Sequence, residues 1–438
     1  MRSTTRIRLA LTLIALGCAN VPLGATAQGL AREPLPQVTQ TKEFMRTLEA
    51  GAGMGNTVRP SVAAALMEAQ RLMLGKDFKG AADSLNAAEL IAAMTPYELH
   101  VTARVKGALA AATGDADLAA RQYDLAAQGT WLSEADKLAT LQTVAGVYYR
   151  AGNYAQAVAW FDRYFTAGGK DPDSALLRAQ SHYLAGDYAA AAQSLGAELV
   201  RDGATGKVPA EILLKLLADT RARVGDNLGY VAALEMLVHH YPGPTYWRAL
   251  LNRVWTNPAL SPRLHLDLLR LEQAAGVLSE ARNYLLMAEL ALEVGFPTEA
   301  SRVLEQGYAA NVLGSGPDAA QHQALRTKVR AQAEADRRTM ETDGLSAQKA
   351  PDGTALLSVG FNMVQSGQGG AGLVLMEQGL AKGIARNADL ARLRLVGAYA
   401  LAGQRDRAIP LLRGMTGNSN AVGHEELVRY WTLLLQQP

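Results

Sequence analysis

The chain has 438 residues, of which 49% are apolar and only 6% aromatic, and its formal net charge at pH 7 is +2. This composition, visibly rich in alanine and leucine, suits closely packed helices better than a β-sheet, which favours β-branched and aromatic residues. A charge so near zero gives no indication of a nucleic-acid-binding surface.

The first 27 residues have the three parts of a secretory signal peptide. A segment with three arginines precedes an apolar run over 9–16, and small residues at 25–27 provide a cleavage site after Ala27. We therefore expect export to the periplasm and a near-neutral mature chain without cysteine, because Cys18 is the only one. The alternative is a lipoprotein signal that ends at Cys18, although Ala15 stands where such a signal usually has leucine. No later apolar run approaches the roughly 18 residues that a membrane span requires.

The segment 28–59 is predicted to be a flexible leader. It contains Pro34, Pro36 and a glycine-rich stretch, with one short helix expected near 41–48. Regular structure is predicted to begin at Pro60, because proline is favoured in the first turn of a helix.

Glycines followed by a short polar turn mark a series of helical hairpins after the leader. The first five of these turn glycines are Gly75, Gly114, Gly152, Gly186 and Gly225. Two copies of the pattern, 148–157 and 182–191, share one register with an offset of 34 residues. The apolar residues after the two turns correspond pairwise and form one helical stripe: Tyr154, Ala157, Val158, Phe161 and Phe165 match Tyr188, Ala191, Ala192, Leu195 and Leu199. Each copy is therefore predicted to be a helix, a tight turn and a second helix.

A unit of this period, with an aromatic residue late in its first helix, Gly-Asp/Asn-Tyr at the turn and alanine three residues later, resembles the tetratricopeptide repeat (TPR) family. The resemblance implies an all-α fold, an α-solenoid (superhelix) of TPR-like helical hairpins. It implies roughly nine or ten hairpins, stacked into a right-handed superhelix. The main TPR-like helical array is predicted to occupy 60–313.

The later part of that array carries a second resemblance. A break at 239–247 ends one helix and starts another, and a further hairpin turn lies at Gly295. This part of the array contains Tyr-Pro-x-Pro-x-Tyr-Trp at 241–247 and Met-Ala-Glu-Leu-Ala-Leu-Glu at 287–293. On these motifs the segment from Ala210 to Gly307 resembles exported TPR proteins of proteobacteria, some of which are associated with TonB-type energy-transducing systems of the cell envelope. This resemblance implies a protein partner in the envelope.

The segment 314–353 differs from the array. A charged helix, with mostly alanine between the charges, is predicted over 317–340, and a linker over 341–353.

The remaining segment, 354–438, is predicted to contain C-terminal TPR-like hairpins and a capping helix. The hairpin turns lie near Gly367 and Gly403. A terminal helix with an apolar stripe over 427–434 is expected to cap the exposed end of the stack.

No pattern of catalytic or metal-binding residues stands out. The glycine-rich loop 368–372 follows a helix and lacks the lysine of a phosphate-binding loop, so we interpret it as a repeat turn. His239 and His240 should point about 100° apart on a helix and so cannot face one ion together. His182 stands at a repeated aromatic position, which favours a packed core residue. We predict no cofactor, no metal site and no enzymatic activity.

First helices of TPR hairpins line the concave side in this family, so the resemblance points to outward positions of three first helices. These candidate groove residues are Arg104, Gln142, Thr143, Arg150, Leu177 and Gln180. The lysine, asparagine and arginine set with which some members clamp a C-terminal carboxylate is absent there, so an acidic C-terminal tail is not expected as the ligand. A second interpretation stays open, in which the six residues are ordinary surface or interhelical packing.

The sequence therefore predicts a non-catalytic periplasmic scaffold or adaptor that binds protein segments through the concave face, in an envelope complex of the TonB-type energy-transducing kind. The alternative is an accessory or small-ligand-binding subunit of an envelope enzyme or export system. In that case Tyr246, Trp247 and Trp255 would line a pocket at the junction 241–255. A deep cavity there with convergent polar groups would favour the alternative, and a tightly filled junction would favour the scaffold.

Overall fold

The computed structural model describes residues 57–415 and 421–437. This part of the chain contains 20 α-helices, one 3-10 helix and no β-strand, which confirms the predicted all-α helical-repeat fold of the α-solenoid class. The predicted signal peptide, the alternative lipid attachment at Cys18 and nearly all of the predicted leader lie outside the described residues. The chain divides between Tyr230 and Val231 into two compact units, a boundary that falls inside the array predicted over 60–313.

The first unit consists of helical hairpins in which consecutive helices pack on each other. Its helices are α1 (Pro60–Leu74), α2 (Phe78–Glu89), α3 (Pro96–Thr113), α4 (Ala116–Ala127), α5 (Glu134–Arg150), α6 (Tyr154–Thr166), α7 (Pro172–Leu184), α8 (Tyr188–Ala204) and α9 (Glu211–Arg223). Helix α10 (Asn227–His240) begins in this unit and continues into the second. Within the described residues, helix α1 begins at Pro60, which occupies its first turn.

The turn within each hairpin of the first unit contains one polar residue that closes the preceding helix and caps the following one. The N–H of Asn153 donates to the carbonyl of Tyr148 across a left-handed Gly152 (φ 75°), which closes α5. The Asn153 side chain then accepts from the N–H of Gln156 and caps α6. Helix ends leave backbone groups without intrahelical partners, so this single residue satisfies groups on both sides. The equivalent residues of the other hairpins are Asp77, Asp115, Asp187 and Asp226.

The first hairpin departs from the predicted turn. Its left-handed residue is Lys76 (φ 60°), whereas Gly75 has a φ of −77°. The assignment of Gly75 as the turn glycine is therefore wrong by one position, and Lys76 is the equivalent of Gly152. The turn still closes because the N–H of Asp77 donates to Leu72, although a non-glycine residue in this conformation costs about 1 kcal/mol.

The two sequence copies pack in the same way. Ala157 and Ala191 are fully buried at the helix contacts, as are the bulkier Phe161 and Leu195 one turn later. An edge-to-face tyrosine pair spans the turn in each copy, with ring centroids 5.8 Å apart for Tyr149 and Tyr154 and 5.4 Å apart for Tyr183 and Tyr188. The predicted common stripe is confirmed.

The second unit is built from the rest of α10 and the ten helices that follow. They are α11 (Pro244–Trp255), α12 (His265–Ala274), α13 (Ala281–Glu293), α14 (Pro297–Ala309), α15 (Ala319–Lys349), α16 (Thr354–Gln365), α17 (Gly369–Lys382), α18 (Ala388–Leu401), α19 (Arg405–Arg413) and α20 (His424–Leu435). The terminal helix α20, which the sequence predicts to cap the end of the stack, packs on α19, α12 and α18. Its residues Leu427, Tyr430 and Trp431 are buried there.

The predicted linker over 341–353 is wrong. Helix α15 continues to Lys349, because Met340 and Ala347 are buried against the unit and hold its last turns. Upstream, both Arg326 and Arg330 contact the carboxylate of Glu305 on α14. Hydrogen bonds from Arg326 lower the pKa of Glu305 to about 2.

The glycine-rich loop is the turn into α17, in agreement with the prediction. A Cβ on Gly372 would lie 2.4 Å from the carbonyl oxygen of Gly360, and a Cβ on Gly360 would lie 2.5 Å from that of Gly372. Helices α16 and α17 thus approach to backbone contact. These glycines serve helix packing rather than phosphate binding.

A single methyl group tests the turn geometry. We expect Gly152→Ala to destabilise the protein by about 1 kcal/mol, because φ is positive there although nothing lies within 4 Å of the added Cβ. Gly196→Ala is the matched control in the middle of α8, where the Cβ makes only an ordinary contact of 3.6 Å with Arg221. That change should stabilise by about 0.5–1 kcal/mol. Urea unfolding measures both, and equal effects of the two changes would contradict the account of the turn.

Candidate functional site

The candidate groove residues lie on α3, α5 and α7, the first helices of three hairpins. Within the first unit α3 contacts α5, and α5 contacts α7. Proline or a polar cap starts α5 and α7: Ser133 accepts from the N–H of Asp136, and Asp171 accepts from the N–H of Ser174. The spacing of the hairpins therefore fixes how these helices present their side chains.

Two of the six residues are used to hold the helices together. Gln142 on α5 donates from Nε2 to Asp171 and Ser174 at 2.9 Å each, and so braces the start of α7. Gln180 is only 5% exposed and its Oε1 accepts from the hydroxyl of Tyr149 at 2.9 Å. Both amides therefore set the helix spacing.

The side chains of the other four residues differ in how accessible they are to a binding partner. Leu177 is partly buried and packs against the core cluster of α3–α6. The Thr143 hydroxyl donates to Ala139 within its own helix. Arg104 lies 3.6 Å from the Asp136 carboxylate, which joins α3 to α5. Arg150, at the last position of α5, is exposed.

A repeated tyrosine bond links successive first helices. Tyr149 on α5 donates to Gln180 on α7, and Tyr183 on α7 donates to Asp219 on α9 at 2.5 Å. Burial raises the pKa of both tyrosines to about 12, so both remain donors. The sequence alone does not reveal this bond. The signal that could have revealed the bond is the 34-residue offset between Tyr149 and Tyr183.

Removal of one hydroxyl tests this bond. We expect Tyr149→Phe to lower the free energy of unfolding by about 1–2 kcal/mol, because the buried Gln180 loses its donor. Tyr154→Phe is the matched control, since its ring forms the other half of the same aromatic pair and its change should stay within about 0.5 kcal/mol. Urea unfolding of both variants gives the comparison. A loss at Tyr154 as large as at Tyr149 would contradict the assignment.

Two aromatic residues of the junction 241–255 are buried. Tyr246 and Trp247 are 8% and 2% exposed. Trp255 donates from Nε1 to Glu272 at 2.6 Å, and its ring lies 5.2 Å from that of His265. The aromatic residues that the sequence offers as a pocket lining thus serve the core of the second unit, the arrangement expected for the scaffold.

The histidines form no metal site in the residues that the structure describes, where no three His, Cys, Asp or Glu side chains are grouped to hold an ion. The rings of His239 and His240 lie edge to face with centroids 4.6 Å apart, closer than helical spacing predicts. His182 is largely buried, with Nδ1 3.6 Å from the Asp187 carboxylate. None of the helices within 57–415 and 421–437 has the length and apolar character of a membrane span.

A cavity of about 320 Å³ lies inside the second unit, at a position that the sequence does not indicate. Residues of α12, α14, α16, α18, α19 and α20 line it. The polar side chains of the lining include Arg270, Glu299 and Arg302. The apolar side chains of the lining include Phe361 and Trp431. The volume is at the lower end of the range of small-molecule pockets, roughly 300–1,000 Å³.

A buried ion network supports one side of this cavity. Arg270, 7% exposed, donates to Glu299 at 2.8 and 2.6 Å and to Asp267 at 2.7 Å. Burial opposes the charge of Arg270, but Glu299 and Asp267 outweigh it and raise the pKa of the guanidinium. Arg394 lies nearby, with its Cζ 4.6 Å from the ring centroid of Phe296. Burial first, then the charge of Arg270, lower the pKa of Arg394 to about 10.

Comparisons with known proteins identify no family for this chain. No protein-family profile and no curated protein sequence matches it. Among solved structures it is similar to the P58(IPK) TPR domain, with 13% identity over 85% of this chain and 98% of that chain and a TM-score of 0.21. The pentatricopeptide repeat protein PPR10 from maize matches with 13% identity over 93% of this chain and 65% of that chain, TM-score 0.30. Yeast Tom70 matches with 13% identity over 85% and 94%, TM-score 0.19. These TM-scores are too low to establish the fold, which is assigned from the helices and turns of the structure itself.

Proposed function

We propose that this protein is a non-catalytic scaffold that binds protein segments along the first-helix face of its first unit, here defined as the exposed side chains of α3, α5 and α7. The observation that carries the proposal is the side-by-side packing of these helices, fixed by the bond from Tyr149 to Gln180 and the contacts of Gln142 with the start of α7. A surface already held in place loses little conformational freedom when a partner binds, so more of the contact energy is available for affinity.

The compartment and the partner class are part of the same proposal. The basic, apolar and small-residue segments within 1–27 support export to the periplasm. The resemblance over 210–307 supports a partner in a cell-envelope complex of the TonB-type energy-transducing kind. Because the mature charge would be close to zero, long-range attraction contributes little, and local contacts on the first-helix face must provide the affinity.

Charge reversal on this face tests the proposal. We expect the pair Thr143→Asp and Arg150→Asp to reduce partner capture at least fivefold while helical content is retained, because both positions lie at the surface of α5. The matched control pair is Lys79→Asp and Gln156→Asp, which changes the charge equally at exposed positions of the second helices α2 and α6. Crosslinking in intact cells, with identification of the captured proteins, is the measurement.

Three outcomes would contradict parts of this proposal. Recovery of cytoplasmic proteins alone would overturn the compartment and the envelope partner. Equal capture by the two variant pairs would overturn the assignment of the face. Substrate turnover that survives repurification would overturn the non-catalytic role.

The alternative function is a small-ligand-binding accessory subunit with a pocket at 241–255. The aromatic residues predicted to line that pocket are used elsewhere, because Tyr246 and Trp247 are buried and Trp255 is hydrogen-bonded to Glu272. The arginine-lined cavity of the second unit favours a small-ligand site at a different place.

A further inference from the structure

More positively charged than negatively charged side chains surround the cavity of the second unit. Three guanidinium groups, of Arg270, Arg302 and Arg394, interact with the two carboxylates of Asp267 and Glu299. Arg270 donates hydrogen bonds to both carboxylates itself. One positive charge therefore has no carboxylate counterpart among the described residues of this cluster.

Arg302 lines the cavity and has no carboxylate bound to it. Its Nε donates to Gln365 at 2.9 Å and its Nη2 donates to Gln273 at 3.2 Å, and both acceptors are neutral amide oxygens. Within the described residues it forms no ion pair. Burial lowers the pKa of Arg302, which shows that its surroundings disfavour the charge. Buried charges in proteins are usually paired, so an anion in the cavity would supply what is missing.

A second arginine of the cluster, Arg394, also has a donor without an acceptor. The Nε atom of Arg394 is buried and has no hydrogen-bond partner in the described part of the chain. Its guanidinium lies over aromatic rings, 4.6 Å from the centroid of Phe296 and 6.0 Å from that of Phe361. These rings offset part of the charge but accept no strong hydrogen bond. A negative charge in the cavity would stabilise Arg394 as well.

The lining of the cavity also includes apolar side chains. They are Trp431 and Leu434 of α20 and Leu401 of α18, and Leu401 is 45% exposed. Glu299 also contributes to the lining and would repel a second negative charge. The site therefore suits one negative charge attached to an apolar group better than a compact dianion such as phosphate.

We propose that this cavity is a binding site for a small organic monocarboxylate. Its carboxylate would accept from the guanidinium of Arg302, and its apolar part would lie against Trp431 and Leu434. Arg405, exposed at the edge of the cavity with Nη1 bonded to the carbonyl of Gln437, would face the entering ligand. The site is independent of the first-helix face, so either proposal can fail without the other.

Calorimetric titration of the full-length protein tests the site with a graded set of probes. Acetate, butyrate, phenylacetate and indole-3-acetate carry the same charge and an apolar group of increasing size. We expect saturable binding that tightens along the series, and at least tenfold weaker binding of phenylacetamide, which keeps the ring and lacks the charge. Inorganic phosphate should also bind at least tenfold more weakly than phenylacetate. Absence of binding by all four carboxylates, or equal binding of amide and acid, would overturn the proposal.

Two variants separate the site from general effects of charge. Arg302→Gln should weaken phenylacetate binding at least tenfold, whereas Arg282→Gln, at a side chain that is 65% exposed in the same unit, should leave it unchanged. Ala400→Leu should also weaken binding, because it fills space in the cavity without altering any charge. The Ala400 variant keeps the test decisive should Arg302→Gln fail to fold. Retained affinity in the folded variants, or equal losses at Arg282 and Arg302, would overturn the assignment.

Discussion

The stacking of helices in the first unit depends on one turn, in which a left-handed residue is followed by aspartate or asparagine. The N–H of that polar residue closes the preceding helix, and its side chain caps the next, as Asn153 does between α5 and α6. Because both helix ends are satisfied within a few residues, the two helices must lie side by side. Small residues such as Ala157 then allow close contact, and aromatic pairs such as Tyr149 and Tyr154 fill the space beside the turn.

These local rules explain how much of the fold could be predicted. The stripe after Gly152 and the one after Gly186 were predictable because each turn and its helix are encoded within about a dozen residues. The first hairpin was misplaced by one residue because Lys76 adopts a conformation that the pattern assigns to glycine. The end of α15 was missed because the buried contacts of Ala347, rather than local propensity, extend the helix.

The candidate sites were less predictable, since they depend on contacts between distant residues. Outward positions of the first helices could be assigned from the repeat, but the sequence does not show that Gln180 meets the hydroxyl of Tyr149. The cavity has no local signature at all: Arg270, Glu299 and Trp431 come together only because α20 packs back on α12. The two units thus offer different chemistry: the first has a surface of interlinked helices, and the second has a cavity lined by arginines.

The most direct test of the central claim, that α3, α5 and α7 present the protein-binding face, is site-specific photo-crosslinking in intact cells. A photoreactive amino acid is placed singly at positions 143 and 150 on α5, and at the exposed positions 79 and 156 on the second helices α2 and α6. The account predicts that the same envelope proteins are captured from 143 and 150 and are absent or far weaker from 79 and 156. Equal capture from all four positions, or capture from 79 and 156 alone, would contradict it.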